Sequence, residues 1–211
     1  MGASPGRLIA MTAAHDAFRR DLGRISAAAT PANLQDPARR ASILAGWQLF
    51  TAQLHIHHGA EDRVLWPLLR QRLAGSPAAM SILDQMDAEH ARIEPLLAAV
   101  DEALAGPRAG AVTPAVEQLA VMLRDHLAHE ESDAMPLVNE ALSEREWRTA
   151  VGQIHALVKS IGSLSVADFV PWLTDGVSRS REAQITTILP APIRPLYRWL
   201  WKPRYARTMR W

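Results

Sequence analysis

Apolar residues recur three and four positions apart along nearly the whole of this 211-residue chain. This spacing places them on one face of an α-helix, whereas the strict alternation expected of a half-buried strand is missing. Clusters of proline and glycine interrupt the pattern and divide it into segments. The sequence therefore predicts an all-α fold, and its long amphipathic helices with short loops favour an antiparallel up-down four-helix bundle.

The clusters of proline and glycine set approximate limits for each helix. The four long helices are predicted at about residues 7–29, 38–73, 78–105 and 113–142, a fifth at about 143–161, and shorter pieces at 166–173 and 193–201. Thr113 followed by Pro114 predicts the N-cap of the fourth helix, and Ser143 with Glu146 predicts a capping box for the fifth. We expect a bundle over residues 1–142 and a helical C-terminal extension over residues 143–211, without a second large core.

The composition excludes several classes of site. Because the chain has no cysteine, it contains no disulfide, thiolate zinc site, iron–sulfur cluster or cysteine nucleophile, and any metal must be held by histidine and carboxylate. The motifs of zinc proteases, nucleotide hydrolases and serine hydrolases are missing. No apolar run approaches the roughly 18 residues of a membrane span, and no targeting pattern is recognisable, so a cytoplasmic protein is expected.

The candidate metal-binding residues lie mainly in an internal repeat. Residues 57–69 (HHGAEDRVLWPLL) align without a gap on residues 126–138 (HLAHEESDAMPLV). Each copy has a histidine, a glutamate four residues later and a proline six residues after the glutamate. A histidine and a glutamate four apart share one helix face and can bind the same ion. Their stripes are otherwise largely apolar, which predicts that two pairs face the core: His57 with Glu61, and His126 with Glu130.

The first and third helices each bring one histidine on an apolar stripe, His15 and His90. Four helices then direct histidines at one interior. Burying two carboxylates there is costly without a compensating cation. A pair of metal ions, bridged by the carboxylates and capped by imidazoles, offsets this cost. Imidazole and carboxylate without thiolate suit iron or manganese and, less specifically, zinc.

Other polar residues near the repeat receive weaker interpretations. His58 and Asp62 form a competing pair, but their stripe carries Thr51 and His55, so the pair of His57 and Glu61 is preferred. Asp62 and Glu131 are expected to be solvent-exposed or to contact a ligand rather than the metal. A surface role is favoured for His129 over that of a proton donor near the pocket. Surface or packing roles are assigned to the other histidines: His55, His58 and His155.

The ordered motifs resemble the hemerythrin-like (HHE cation-binding) family over about residues 8–142. The resemblance implies a non-haem di-iron centre with carboxylate and oxo or hydroxo bridges, and O2, H2O2 or nitric oxide as small ligands. On the matching positions the metal ligands would be His15, His57, Glu61, His90, His126 and Glu130. Family members include oxygen carriers, oxygen or iron sensors and proteins that act on peroxide. The chain length and C-terminal extension are similar to those of actinobacterial hemerythrin-domain proteins.

One position departs from the oxygen carriers of the family, which have two histidines four apart on the third helix. Here Met86 stands four residues before His90. One metal ion is therefore expected to lack a protein ligand, which water or a shifted carboxylate such as Glu89, Asp62 or Glu131 would replace. An open position favours reactivity over reversible oxygen binding.

The leading hypothesis is a di-iron protein that binds or reacts with oxygen or peroxide, with catalase-like peroxide decomposition as one form. No residue is assigned a catalytic role. The alternative is a sensor of oxygen, iron or nitric oxide without turnover, in which occupancy of the site changes the docking of the extension. A structural helical protein with a fortuitous site is the third interpretation.

The C-terminal tail is basic, since residues 191–211 contain six Lys and Arg residues and no acid. Five aromatic residues alternate with these cations: Tyr197, Trp199, Trp201, Tyr205 and Trp211. Packing of the aromatics on the bundle, or a homodimer contact, is the favoured interpretation. Binding of an anionic membrane or of another partner is less favoured, and no nucleic-acid partner is expected.

Overall fold

The computed structural model describes residues 7–106, 108–161 and 166–211, in which every regular element is helical. The all-α prediction is confirmed. The bundle contains α1 (Ile9–Ala28), α2 (Pro31–Gln35), α3 (Pro37–Ala60), α4 (Trp66–Arg72), α5 (Pro77–Ala105), α6 (Val112–His129) and α7 (Met135–Ala141). The extension contains α8 (Glu144–Ile161), α9 (Val166–Leu173), α10 (Arg179–Ile185), α11 (Arg194–Leu196) and α12 (Lys202–Ala206). Short 3-10 turns lie at Ala109–Ala111, Thr186–Ile188 and Ala191–Ile193.

The direction of the long helices follows from which of their ends pack together. A large apolar core joins the end of α1 and of α5 to the start of α3 and of α6, with members such as Ile25, Val100, Trp47 and Val116. A small apolar core joins the opposite ends, with members such as Met11, Leu69, Leu83 and Val138. Successive long helices therefore run in opposite directions, as the sequence predicts.

Capping residues account for several of the helix starts. Asp36 begins α3, because its carboxylate accepts the N–H of Arg39 at 2.8 Å. The capping box of α8 is confirmed, since Ser143 N donates to Glu146 Oε2 at 2.9 Å. The N-cap predicted at Thr113 is wrong. Helix α6 begins one residue earlier, and the Thr113 hydroxyl instead donates to the carbonyl of Ala29.

Three helices widen into a π-helical turn just before a proline. These turns span Glu61–Leu65, Glu130–Ala134 and Tyr197–Trp201, and Pro67, Pro136 and Pro203 each lie two residues beyond one of them. A proline inside a helix lacks an N–H, and its ring collides with the carbonyl four residues earlier. A wider turn ahead of the proline moves that carbonyl and lets the helix continue.

The C-terminal extension contributes to the core of the bundle. The side chain of Trp172 in α9 is fully buried, and its ring lies 5.0 Å from the ring of Phe18 in α1. Its indole N–H donates to the buried carboxylate of Asp21 at 2.8 Å. Arg24 of α1 binds Asp175 at 2.6 Å. The extension thus shares the large core of the bundle.

The last residue of the chain returns to α3. The backbone N–H of Trp211 donates to the carbonyl of Ser42, and its ring lies over Gly46. A Cβ atom at position 46 would be 2.5 Å from that ring, so only glycine allows this approach. Among the described residues, no helix is both long and apolar enough to cross a bilayer.

Candidate metal centre

The six residues proposed from the sequence meet in one layer of the bundle, between the large and the small core. Their helices supply them as follows: His15 from α1, His57 from α3, Glu61 and Glu130 from the two π turns, His90 from α5 and His126 from α6. Five of them are buried, and the side chain of His57 is 10% exposed. The donor atoms form two adjoining groups.

The first group contains His15, His57, Glu61 and Glu130, whose donor atoms all lie within 4.8 Å of one another. The Nε2 atoms of His15 and His57 are 3.1 Å apart. Glu130 Oε2 lies 3.1 Å from His15 Nε2, and Glu61 Oε1 lies 3.2 Å from His57 Nε2. Two imidazoles and two carboxylates therefore surround one point.

The second group contains three imidazoles, those of His58, His90 and His126, and spans no more than 4.8 Å between donor atoms. The rings of His58 and His90 stack with their centroids 4.0 Å apart. Glu61 connects the two groups, because its Oε1 faces His57 while its Oε2 lies 3.5 Å from His90 Nε2. One carboxylate can thus reach an ion in either group.

Sequence reasoning missed His58, which it assigned to the surface or to packing. The side chain is 3% exposed and points into the bundle beside His57. The signal was present in the repeat, because the counterpart of His58 is Leu127, an apolar residue that is fully buried. Position 58 thus corresponds to a core position in both copies.

His58 also changes the interpretation of Met86. Met86 is fully buried among apolar residues of the small core, which include Leu65, Trp66 and Leu83. The sequence predicts that the missing histidine on the third helix leaves one ion short of a protein donor. The structure instead brings the His58 imidazole to His90 and His126 from another helix, so three imidazoles gather without a histidine at position 86.

Three further carboxylates contact histidines of the two groups at their Nδ1 atoms. Asp62 lies 2.7 Å from His90 Nδ1, Glu131 lies 2.8 Å from His15 Nδ1, and Glu89 lies 2.9 Å from His126 Nδ1. This contact fixes the ring and leaves Nε2 as the donor facing the centre, an arrangement common around metal-binding histidines. The two copies of the repeat match here. Their first acid enters the centre, and their second orients a histidine of another helix.

Two residues at the edge of the centre bind the carboxylates that orient these histidines. Arg19 donates hydrogen bonds from its two terminal guanidinium nitrogens to the two carboxylate oxygens of Glu131, at 2.6 and 3.0 Å. His129, whose side chain is 24% exposed, lies 2.8 Å from Glu89 through its Nδ1. His129 is therefore part of the hydrogen-bond network around the centre, whereas the surface role was the favoured prediction.

The charges of the buried groups depend strongly on one another. Burial and the neighbouring Glu130 raise the pKa of Glu61 well above its ordinary value. Burial would also raise the pKa of Glu130, but His15, His57 and His126 outweigh it and lower that pKa to about 2. Burial would lower the pKa of His15, yet Glu130 and Glu131 raise it to about 9. Burial together with neighbouring imidazoles lowers the pKa of His57 and of His58.

A metal pair fits this donor set. Nitrogen or oxygen atoms of five central side chains are buried without a hydrogen-bond partner in the described structure: both carboxylate oxygens of Glu61 and Glu130, both nitrogens of His58, and Nε2 of His90 and His126. An unpartnered buried polar atom costs about 1–3 kcal/mol, and more if charged. These atoms converge in two groups, so a cation bound in each group would offset the cost of burying them.

Comparisons with known proteins identify the family. A search of curated proteins and a search of solved structures found no match. The model of the hemerythrin HHE cation-binding domain matches residues 8–138, which is more than half of the chain and includes all seven side chains of the two groups. The chain therefore belongs to the hemerythrin HHE cation-binding domain family.

Proposed function

We propose that the chain holds a non-haem di-iron centre with which oxygen, peroxide or nitric oxide interacts. The observation that carries this proposal is the convergence of five imidazoles and two carboxylates in two adjoining groups. One group would bind each ion, and Glu61 is placed to bridge them. Membership of a cation-binding family supports metal binding independently of the geometry.

The donor chemistry favours iron. Imidazole and carboxylate suit ferrous and ferric ions, and no thiolate is present to favour softer metals. Manganese has similar preferences and zinc is less specific, so both are weaker candidates. Cations held by Glu61 and Glu130 would also account for two fully buried acids in this layer.

The two groups offer different numbers of imidazoles. His58, His90 and His126 form the three-imidazole group, whereas His15 and His57 supply two. Counting Glu61 with both groups, each offers four side-chain donors, and His57 is the most exposed of the seven side chains, so we propose that a small exogenous ligand approaches on the side of His57. Phe18 packs 5.2 Å from the His57 ring and helps to exclude water there. Bound iron would supply redox chemistry by changing between its ferrous and ferric states.

The reactive form of this proposal is decomposition of peroxide. Two molecules of H2O2 then yield two of water and one of O2, with no external reductant. We expect the iron-loaded protein to evolve O2 from H2O2 faster than metal-free protein or the same amount of free iron. The measurement is O2 evolution at an electrode, with peroxide loss followed in parallel. Iron-loaded protein that consumes no peroxide would refute this form.

A sensor without turnover is the second candidate, and the position of Phe18 favours it. This ring contacts His57 on one side and Trp172 of the extension on the other. A shift at His57 would therefore reach the extension through a single side chain. Slower proteolysis of residues 143–211 when iron or a gas ligand binds, without peroxide turnover, would support the sensor. Equal cleavage rates would contradict it.

A further inference from the structure

The tail presents large apolar side chains to solvent. Trp199 is 76% exposed, Leu200 is 56% exposed and Leu196 is 41% exposed. Leu196 lies three and four positions before Trp199 and Leu200 on the continuous helical segment formed by α11, the third π turn and α12, so it shares one side of the segment with both. We call them the tail patch.

The opposite side of the same segment is anchored to the protein. Tyr197 is buried, and its hydroxyl donates to Glu182 at 2.7 Å and lies 2.9 Å from the hydroxyl of Thr174. Tyr205 belongs to the large core. The aromatic residues of the tail thus divide into a packed set and the exposed Trp199. Packing on the bundle explains the first set and leaves the tail patch without a function.

Positive charge lies beside the tail patch. A surface cavity of about 650 Å³ lies on the Tyr197 side of the segment, and its lining contains four cations, Arg179, Arg194, Arg198 and Lys202, together with Glu182. Glu182 neutralises Lys202 at 2.6 Å. Among the described residues, no carboxylate forms an ion pair with Arg179, Arg194 or Arg198.

We propose that the tail patch and its arginines dock the protein on an anionic membrane surface. Trp199, Leu196 and Leu200 would enter the headgroup region, while Arg198 at the edge of the patch binds lipid phosphate. Arg198 already lies 5.5 Å above the Trp199 ring, so the cation and the aromatic face one surface. A nucleic acid is the less suitable ligand, because single-stranded binding uses several exposed aromatic rings and this segment exposes one.

Co-sedimentation of the full, iron-loaded chain with vesicles tests the proposal. We expect binding to vesicles of phosphatidylcholine mixed with phosphatidylglycerol, little binding to phosphatidylcholine alone, and weakening with added salt. Trp199→Ala should reduce the partition coefficient roughly ten-fold, the loss expected from one buried aromatic side chain. Arg198→Glu should reduce it by about five-fold or more, given about 1 kcal/mol per cation near the surface.

Matched controls lie on α6, in the bundle. Val121 is 61% exposed and Arg124 is also exposed, so Val121→Ala and Arg124→Glu repeat the same kinds of change away from the tail. Both variants should bind vesicles like the wild type. The proposal is overturned by equal binding to neutral and anionic vesicles, or by losses as large in the α6 controls.

Two other occupants of the patch give distinct results. If Trp199→Ala abolishes dimerisation in sedimentation velocity and the wild type does not bind vesicles, the patch joins two copies of the chain. If an oligonucleotide binds with the same dependence on Trp199 and Arg198, again without vesicle binding, the partner is a nucleic acid. Either result rejects the membrane proposal.

Discussion

Substituting Glu61 should abolish metal binding and substituting Glu130 should remove the ion of its group, whereas substituting the acid that follows either glutamate should only weaken binding. Glu61 faces both groups of imidazoles, and Glu130 lies between His15 and His57, so Glu61→Gln and Glu130→Gln each remove a donor that an ion needs. Asp62→Asn changes a carboxylate that orients His90 and should cost about 10–100-fold in affinity. The measurement is iron per chain after desalting, with a competing chelator to rank the variants.

Stability of the metal-free variants separates this interpretation from simple misfolding. Glu61 is 1% exposed and its oxygens have no hydrogen-bond partner in the described structure, so Glu61→Gln removes a buried ionisable group. Metal-free Glu61→Gln should unfold at no lower a temperature than metal-free wild type, although only the wild type should gain stability with iron. Equal metal loss in Glu61→Gln and Asp62→Asn would show that the assignment within each acid pair is wrong.

Replacing His58 should remove one metal ion of the pair. His58→Ala leaves His90 and His126 as the two imidazoles of their group, while His15, His57, Glu61 and Glu130 are untouched. We expect the iron content to fall to about half, since an ion with two imidazoles and a shared carboxylate is held much less tightly. Titration with ferrous iron under anaerobic conditions should then show a single strong site.

His55 provides the control for this substitution. It lies on the same helix, its side chain is 54% exposed, and its nearest acid is the exposed Glu94. His55→Ala should retain both ions. Full iron content in His58→Ala, or the same loss in both variants, would exclude His58 from the centre. The prediction that one ion lacks a protein ligand near Met86 would then be favoured.

Helical periodicity predicts much of the centre because the relevant geometry is local. The pairs His57 with Glu61 and His126 with Glu130 lie one turn apart on a single helix, and their apolar neighbours identify the buried face. The structure brings the six predicted side chains into one layer, although their binding of metal stays a prediction.

The features that periodicity missed depend on other helices or on departures from an ideal helix. His58 lies about 100° from His57 around α3, but both rings reach the interior, where His58 meets His90 of α5 and His126 of α6. The partners of Asp62 and Glu131 lie on α5 and α1, so no single-helix pattern reveals them. A proline alone does not predict a π turn, because Pro95 lies inside α5 without one.

The tail shows a different limit of sequence reasoning. Alternating aromatic and basic residues do not by themselves show which side of a segment is buried. Tyr197 and Tyr205 pack inward while Trp199 faces solvent, because the π turn and the hydrogen bonds of Tyr197 set the rotation of the segment. This division decides which residues are free to contact a partner.

Metal content and the absorption spectrum of the wild-type protein test the central claim most directly. After anaerobic loading with ferrous iron, desalting and exposure to air, the two groups of donors predict about two iron ions per chain. Near-ultraviolet charge-transfer bands should appear, and azide should alter them. Protein that remains metal-free and colourless after this treatment would contradict the account.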